Sequence, residues 1–593
     1  MFNKRSPQKG LYEADNMYLD FIGRDSFYAF LASQRGKLFR DQDFADLYCH
    51  NNGRPSVPPS ILATALILQT YDNVSDEEAK NHADYDLRWK VALGVELKER
   101  PFAKSTLQLF RSQLILHDLA RQMFIRSIET AKSHGFLKHR KKLHIAIDTM
   151  AIFGRGAVKD TYNLLADGIK QLIRTLASIA NTTPEQWASK HNLARYFESS
   201  IKTTEAVDWD KESSRKQFLA GIVEDADRLL DIARTTRNKY DAQSKEAKQI
   251  EEASSLLLQL LAQDIDRKPE GPEIVTGVAK DRVCSVHDPE MRHGRKSSKG
   301  KFNGQKGVIA TDTQSQLITA VDELPGNAHD STKALEPVEQ SEENVGLPVA
   351  DTTGDCAYGT GEVRREFQEA ERKLEAPVPA APDNGKLPKS EFTISRDENS
   401  VTCPAGCTTS EYTYVTTTKA NGNTYKVKKF TFPIERCSTC NLREQCVKGN
   451  GSRSVTLHPQ EQLMRSARKH QKSKAFREAK RRRQVVEHRI ARLRQLGVRQ
   501  ARYFGRLKTL FQLQIAATVA NLTLVAASAA AIASYFCSLF FGHHRKPASM
   551  RARDLLYNFM KMIHTGTNNG LPRNDAPSRD ICFAQFGRFR LDS

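Results

Sequence analysis

The chain has 593 residues, of which 39% are hydrophobic and 27% charged, and it carries a formal charge of +20. That length admits several domains, and that composition excludes a wholly disordered chain. The positive excess says nothing about fold, but it favours polyanionic partners, with nucleic acid first and anionic membrane second.

The opening stretch, "MFNKRSPQKGLYEAD", lacks the apolar segment of a secretion signal. Ten cysteines in a chain this long do not make a disulfide scaffold, so a reduced, cytoplasmic setting is expected. Residues 1–135 read as a helical amino-terminal domain. In "SVPPSILATALILQTYD" the prolines suit a helix start, and Ile61, Leu62, Ala65, Leu66 and Leu68 keep helical spacing. Ser75 and Glu78 are spaced as a capping box, and Ser105 or Thr106 is expected to cap the helix that follows. Arg111 and its basic neighbours leave two equal readings: helices that dock on DNA, or a dimerisation or packing domain.

Residues 136–160 hold the first strand of a core. The run His144 to Ile147 is apolar and ends on Asp148, within a strand expected over 144–153. Residues 161–270 read as a helical insertion, with Leu165, Ile169, Leu172, Ile173, Leu176 and Ile179 on one apolar face. The period then changes. Residues 271–400 return to the core with strands over 306–312 and 316–324, a turn at Thr313–Ser315, a helix in "HDSTKALEPVEQSEEN", and a strand in "GLPVADTTGDCAYG". The result is a mixed α/β core interrupted by helices. A proline-rich loop at 375–392 leads to a Cys-rich insertion at 401–450.

Residues 451–545 combine a basic helix with packing helices. Over 461–510 there are 17 Lys or Arg against 3 Glu, a net of +14, in what reads as one arginine-rich helix. From Thr509 to Gly542 no charge occurs. That length would span a bilayer, but Gln512, Gln514, Thr518 and Asn521 favour a buried core helix and no membrane. Residues 546–593 form a basic, peripheral tail.

Three carboxylates stand out. Asp148 and Asp355, in "GDCAYG", end strands, and Glu487 lies in "RRRQVVEHRIARLR". If the two strands run parallel, both Asp side chains reach one sheet edge, where open α/β sheets bind ligands. Three carboxylates near nucleic acid suit phosphodiester attack, in which oxygen ligands hold two Mg²⁺ ions (or Mn²⁺) about 3.5–4 Å apart. Each residue also has a plainer reading. A strand-end Asp can cap a turn, Asp351 competes with Asp355, and Glu487 can pair with Arg483 or Arg494 across helix turns.

Taken together, "IAIDT", "GRGAVKDTYNLL", "LITAVDELPGNAHDS", "GDCAYGTGEVR" and "RRRQVVEHRIARLR…GVRQARYFG…LQIAATVANL" resemble a DDE transposase of bacterial insertion sequences, from about residue 45 to 525. The resemblance implies a ribonuclease-H-like catalytic core in which Asp148, Asp355 and Glu487 bind the metal ions. It also implies that "DLYCHNNGRPSVPPSILATALILQ" belongs to an amino-terminal domain binding terminal inverted repeats. The protein would then cut element ends and join them to target DNA as a homodimer. A wider group of such enzymes has Tyr, Arg, Glu and Lys at the spacing found here as Lys480, Arg483, Glu487 and Arg494. Arg and Glu match, Arg494 keeps a phosphate contact, and Lys480 departs from Tyr. Three rival readings remain: a nuclease that does not transpose, an inactive transposase-derived DNA-binding protein, and a membrane-associated basic protein.

Cys403 and Cys407, then Cys437 and Cys440, form two close pairs suited to a tetrahedral structural Zn²⁺ site, with Cys446 as an alternative ligand. The plainer reading is a loop with idle thiols. Cys49, Cys284, Cys356, Cys537 and Cys582 are isolated. Arg292, Arg295, Lys296 and Lys299 either hold DNA near the carboxylates or form a solvated loop.

Overall fold

The apolar run into Asp148 builds the centre of a six-stranded sheet made of β1 (Leu143–Phe153), β2 (Arg292–Arg295), β3 (Lys301–Asp312), β4 (Ile318–Pro325), β5 (Val349–Thr353) and β6 (Leu374–Glu375). This computed structural model describes residues 1–5, 13–49, 52–198, 200–203, 207–296, 300–380, 386–418 and 424–541. Lys299 and the tail 546–593 with Cys582 lie outside the described residues, as does the side chain of Cys537.

The sheet order is β2-β3-β1-β5-β6, with β4 also paired to β3. β1 runs antiparallel to β3 and parallel to β5, and β5 runs parallel to β6. A strand flanked on both edges and covered on both faces is apolar almost throughout, which explains the "HIAI" and "MAIF" runs. Asp148 is not at the strand end. Pairing with β3 continues from Thr149↔Val308 to Phe153↔Gly304, so the carboxylate sits mid-strand. The backbone ladder is complete whatever the side chain at that one position, and a charge alone does not end a strand. The expected hairpin is present as β3 and β4, and the Asp312 carboxylate ties its turn by accepting from the Ser315 amide at 2.8 Å. The helix expected in "HDSTKALEPVEQSEEN" is shorter, Glu336–Val345, because Pro337 fits only its first turn.

The helical insertion consists of Thr161–Ile179, Pro184–Lys190, Glu212–Arg237 and Lys245–Asp264 around its own buried core. Gly168 lets two of these helices approach closely: a Cβ there would sit 2.7 Å from the Leu260 Cδ1.

The amino-terminal helices include Pro59–Asp72, Asp76–Tyr85 and Lys104–Leu116. Both hydrogen bonds of the Ser75–Glu78 capping box form. Neither Ser105 nor Thr106 caps the later helix, which begins at Lys104 after Ala103 without a side-chain cap. Arg111 is buried rather than offered to DNA. Its guanidinium donates to Asp76 at 2.6 Å and to Gln69 at 3.1 Å.

The basic segment is three helices, not one: Glu461–Gln471, Lys474–Arg482 and Gln484–Gln495. Ser473 breaks the first from the second by capping the Phe476 amide at 3.1 Å. The charge-free stretch belongs to one helix, Arg506–Phe541. Residues Arg506–Ile532 are long and apolar enough to cross a membrane, yet most of that span is buried in the protein. Its polar residues explain why. Asn521 is fully buried and clasps Ile318, accepting from its amide at 2.9 Å and donating to its carbonyl at 2.9 Å.

The chain divides into two units, Met1–Thr523 and Leu524–Ser593, and the described part of the second continues the helix.

Candidate active site

Asp148 and Asp355 meet through strand register. Ala146 pairs with Thr353 across the parallel β1–β5 edge, and two further residues along each chain lead to Asp148 and Asp355. Asp355 lies just beyond β5. It caps a short 3₁₀ turn, Cys356–Gly359, by accepting from the Ala357 amide at 2.9 Å. Burial holds the Asp148 carboxyl above its ordinary value; Lys296 opposes that shift, Asp355 adds to it and Arg483 again opposes.

Glu487 lies in the first turn of the helix Gln484–Gln495. Arg483 joins it to the strand. One guanidinium nitrogen is 3.2 Å from Asp148 Oδ2 and the other 2.5 Å from Glu487 Oε1. The expected Arg483–Glu487 pair therefore forms, but the same arginine also grips Asp148. Glu487 is half-exposed, while Asp148 is largely covered. Asp351, the competitor of Asp355, has other partners: His144 Nδ1 at 2.6 Å and Arg482 at 3.4 Å.

Further neighbours surround Asp148: Lys296, already weighed from the sequence as a cation near the carboxylates, and Lys306, Asp330 and Tyr358, which sequence reasoning missed. The Lys296 ammonium donates to the Thr149 carbonyl at 2.6 Å and its hydroxyl at 2.7 Å, and stands 3.7 Å from Asp148. It also pairs with Asp330 at 3.4 Å, and buried Lys306 reaches Asp330 at 2.6 Å. Burial disfavours the charged form of Asp330, but Lys296 and Lys306 outweigh it and hold the carboxyl below its ordinary value. Tyr358 is fully buried, and its hydroxyl has no hydrogen-bond partner among the described residues. Its phenol is pushed well above the ordinary value, by burial first and then by Asp148, Asp330 and Asp355. One signal was visible in sequence: Lys306 is a charge two residues before the apolar run Val308–Ala310. Asp330, in "NAHDS", and Tyr358, in "DCAYG", carried none.

The donor atoms are all carboxylate oxygens, which suits a hard divalent cation. Among the described residues no three His, Cys, Asp or Glu side chains gather closely enough to hold an ion as they stand. Lys296 and Arg483 supply the positive charge between the carboxylates instead. Lys480 and Arg494 are exposed. Arg292 turns back on its own loop, donating to the Met291 carbonyl at 3.0 Å.

A cleft of about 630 Å³ opens beside the far end of β1, lined by Arg155, Arg499, Arg502 and Phe153 among others. Phe153 is five residues beyond Asp148, roughly 16 Å along the strand. Arg155 donates to the Arg502 carbonyl at 2.6 Å, and Arg499 lies over the Phe153 ring.

The five clustered cysteines are free thiols of intermediate exposure. They belong to a small module with one sheet of Thr393–Ile394, Val401–Thr402 and Thr408–Thr409, and another of Tyr412–Thr418, Thr424–Thr431 and Ser454–Leu457. Cys403, Cys407, Cys437 and Cys446 pack against its core.

Two family models match. Residues 17–113 match the transposase domain DUF772, and residues 402–526 match the transposase DDE domain. Both matches support a DDE transposase of insertion-sequence type. No curated protein sequence matches it significantly. The first match covers the amino-terminal helices. The second covers the Cys-rich module, the basic helices with Glu487, and the helix carrying Asn521. Neither range includes Asp148 or Asp355. Transposases act on DNA, and the DDE family generally uses divalent metal ions.

Proposed function

We propose that this transposase cuts DNA at the ends of an insertion sequence and joins the freed 3′ ends to target DNA, with Asp148, Asp355 and Glu487 as its catalytic carboxylates. The observation that carries this reading is that Asp148 neighbours Asp355 and shares one arginine with Glu487. Asp148 and Asp355 are adjacent in strand register, and a single arginine ties Asp148 to Glu487 across 339 positions of sequence (487 − 148).

The core is ribonuclease-H-like in this reading. Its support is the strand order β4-β3-β1-β5-β6, antiparallel on one side of β1 and parallel on the other. The amino-terminal domain, 1–135, would bind the terminal repeats. The core would comprise 136–160, 271–400 and the basic segment from 451, interrupted by 161–270 and 401–450. The protein would work in the cytoplasm as a homodimer holding two element ends.

The carboxylates would hold Mg²⁺ or Mn²⁺, which when bound activates the attacking hydroxyl and stabilises the leaving oxygen. Everything else falls to the chain. Arg483 neutralises Asp148 and Glu487 while no phosphate is present; on DNA its guanidinium is the nearest donor for the scissile phosphate. Lys296 and Lys306 hold Asp330 and shield Asp148 from it. Lys480 and Arg494 are exposed cations for the flanking backbone, and the arginine cleft beyond β1 extends that track.

The test is cleavage of labelled element-end DNA with Mg²⁺ or Mn²⁺, comparing the wild type with Asp148→Asn, Asp355→Asn and Glu487→Gln. Each variant is expected to lose cutting while still shifting end DNA in a gel. Cutting retained in any one removes that residue from the site. Cutting by the wild type without joining would make the protein a nuclease instead.

A further inference from the structure

We propose that Asp330 is a positioning residue of the active site: anchored by Lys306, it holds the Lys296 ammonium beside Asp148, where that ammonium takes a non-bridging oxygen of the scissile phosphate. The proposal rests on the reading of Asp148, Asp355 and Glu487 as the catalytic carboxylates.

The geometry is a chain of charges running from the core to the site. Lys306 lies on β3 opposite Ala151 of β1, is buried, and is fixed by donating to the Ala328 carbonyl at 2.7 Å. Its ammonium meets Asp330 Oδ1 at 2.6 Å, and the other oxygen, Oδ2, faces Lys296 at 3.4 Å. The 3₁₀ turn that Asp330 opens, Asp330–Lys333, packs against the turn Cys356–Gly359 that Asp355 caps. Asp330 therefore belongs to the same corner of the fold as Asp355, although both of its oxygens are taken by lysines.

Lys296 needs such a hold. Its backbone closes the β2–β3 hairpin, the amide donating to the Gly300 carbonyl at 2.8 Å. Its side chain is 35% exposed and ends 3.7 Å from Asp148 Oδ1. A flexible stem that open swings into water easily, and an ammonium beside bound Mg²⁺ is pushed that way. Thr149 holds it through uncharged oxygens only, at 2.6 and 2.7 Å. The charge of Asp148 is committed to the metal ions in this reading, so Asp330 supplies the carboxylate that keeps Lys296 in place. A compact ammonium fixed there suits one phosphate oxygen, and it counts most as negative charge builds in the transition state.

The test follows cutting of labelled end DNA by the full-length protein against DNA concentration. Asp330→Asn should lower the maximal rate about 10- to 100-fold and leave the half-saturating concentration near the wild-type value. Lys296→Met should lower it about 100- to 1000-fold. Because Asp330 acts through Lys296, the double variant should match Lys296→Met within about twofold. Asp330→Glu should recover part of the rate. Full-rate cutting by Asp330→Asn overturns the proposal, as do losses that multiply in the double variant or a change confined to half-saturation. If Asp330→Asn does not fold, the wild type is acetylated with and without end DNA, and its lysines are read by peptide mass spectrometry. Protection of Lys296 by DNA supports the phosphate contact, and equal labelling overturns it. Asp148→Asn separates the proposal from the reading beneath it. If Asp148→Asn still cuts, the catalytic assignment fails; if it is dead while Asp330→Asn cuts at full rate, only the place of Asp330 fails.

Discussion

Replacing Asn521 by Leu tests why a charge-free helix belongs in the core. The amide closes both polar groups of Ile318, accepting from the N–H and donating to the C=O, each at 2.9 Å, and reaches Ser127 Oγ at 3.3 Å. All of this is buried. Leu has nearly the same volume, so little cavity opens, but the Ile318 N–H and C=O lose their partner. An orphaned buried group costs about 1–3 kcal/mol, and better burial of Leu offsets part of the sum. The net loss should be about 2–4 kcal/mol. At 1.4 kcal/mol per tenfold, local opening of β4 should rise on the order of 30- to 700-fold. Hydrogen exchange followed by mass spectrometry on peptides covering 313–325 reads this directly. Unchanged protection in Asn521→Leu would refute the claim that this amide ties the helix to the sheet.

Four further outcomes follow from the packing and the charges. Arg111→Ala should destabilise the amino-terminal helices by about 2–4 kcal/mol, since it strands Asp76 in a mostly covered site, and limited proteolysis should cut there first. Burial disfavours the Asp76 carboxylate, but hydrogen bonds from Arg111, Gln69 and Gln108 outweigh it and hold the group well below its ordinary value. Its stabilisation is therefore present above the unfolded carboxylate value and lost as pH falls below it, which melting curves between about pH 5 and 2 will show. Asp148 has the opposite sign. Its raised carboxyl keeps its proton to higher pH, so any stabilisation from the neutral form is present in acid and lost as pH rises through the raised value. Metal-dependent cutting should accordingly fail in acid above the ordinary carboxylate range of about 4, and Lys296→Met should move that limb to higher pH in a rate profile. Gly168→Ile should destabilise the helical insertion by about 1–3 kcal/mol, while Gly168→Ala needs only a small shift of Leu260, and thermal melts of the two will separate them.

Local chemistry was legible in the sequence. Periodicity marked the helices of the insertion, a change of period with a turn at Thr313–Ser315 marked the β3–β4 hairpin, and the Ser75–Glu78 spacing marked a cap that forms as expected. Each depends on residues a few positions apart, and the backbone period alone relates them. The same local view left Arg111 open between docking on DNA and packing, and took three basic helices for one. It could not see Asp76 and Gln69 from across a helix pair, or weigh the Ser473 cap.

The three carboxylates show where the division falls. Their identity was open to sequence, because Asp148, Asp355 and Glu487 stand in motifs that can be set beside a family. Their surroundings were not. Lys296, Lys306, Asp330 and Tyr358 gather around Asp148 from positions 148 to 210 residues later, through strand register and a hairpin edge. Sequence alone determined the elements, the excess of positive charge and the candidate acids, since each follows from residue type and short-range spacing. Only the tertiary structure decided which charges face one another, because burial and pairing are set by strands and helices that the chain brings together over hundreds of residues.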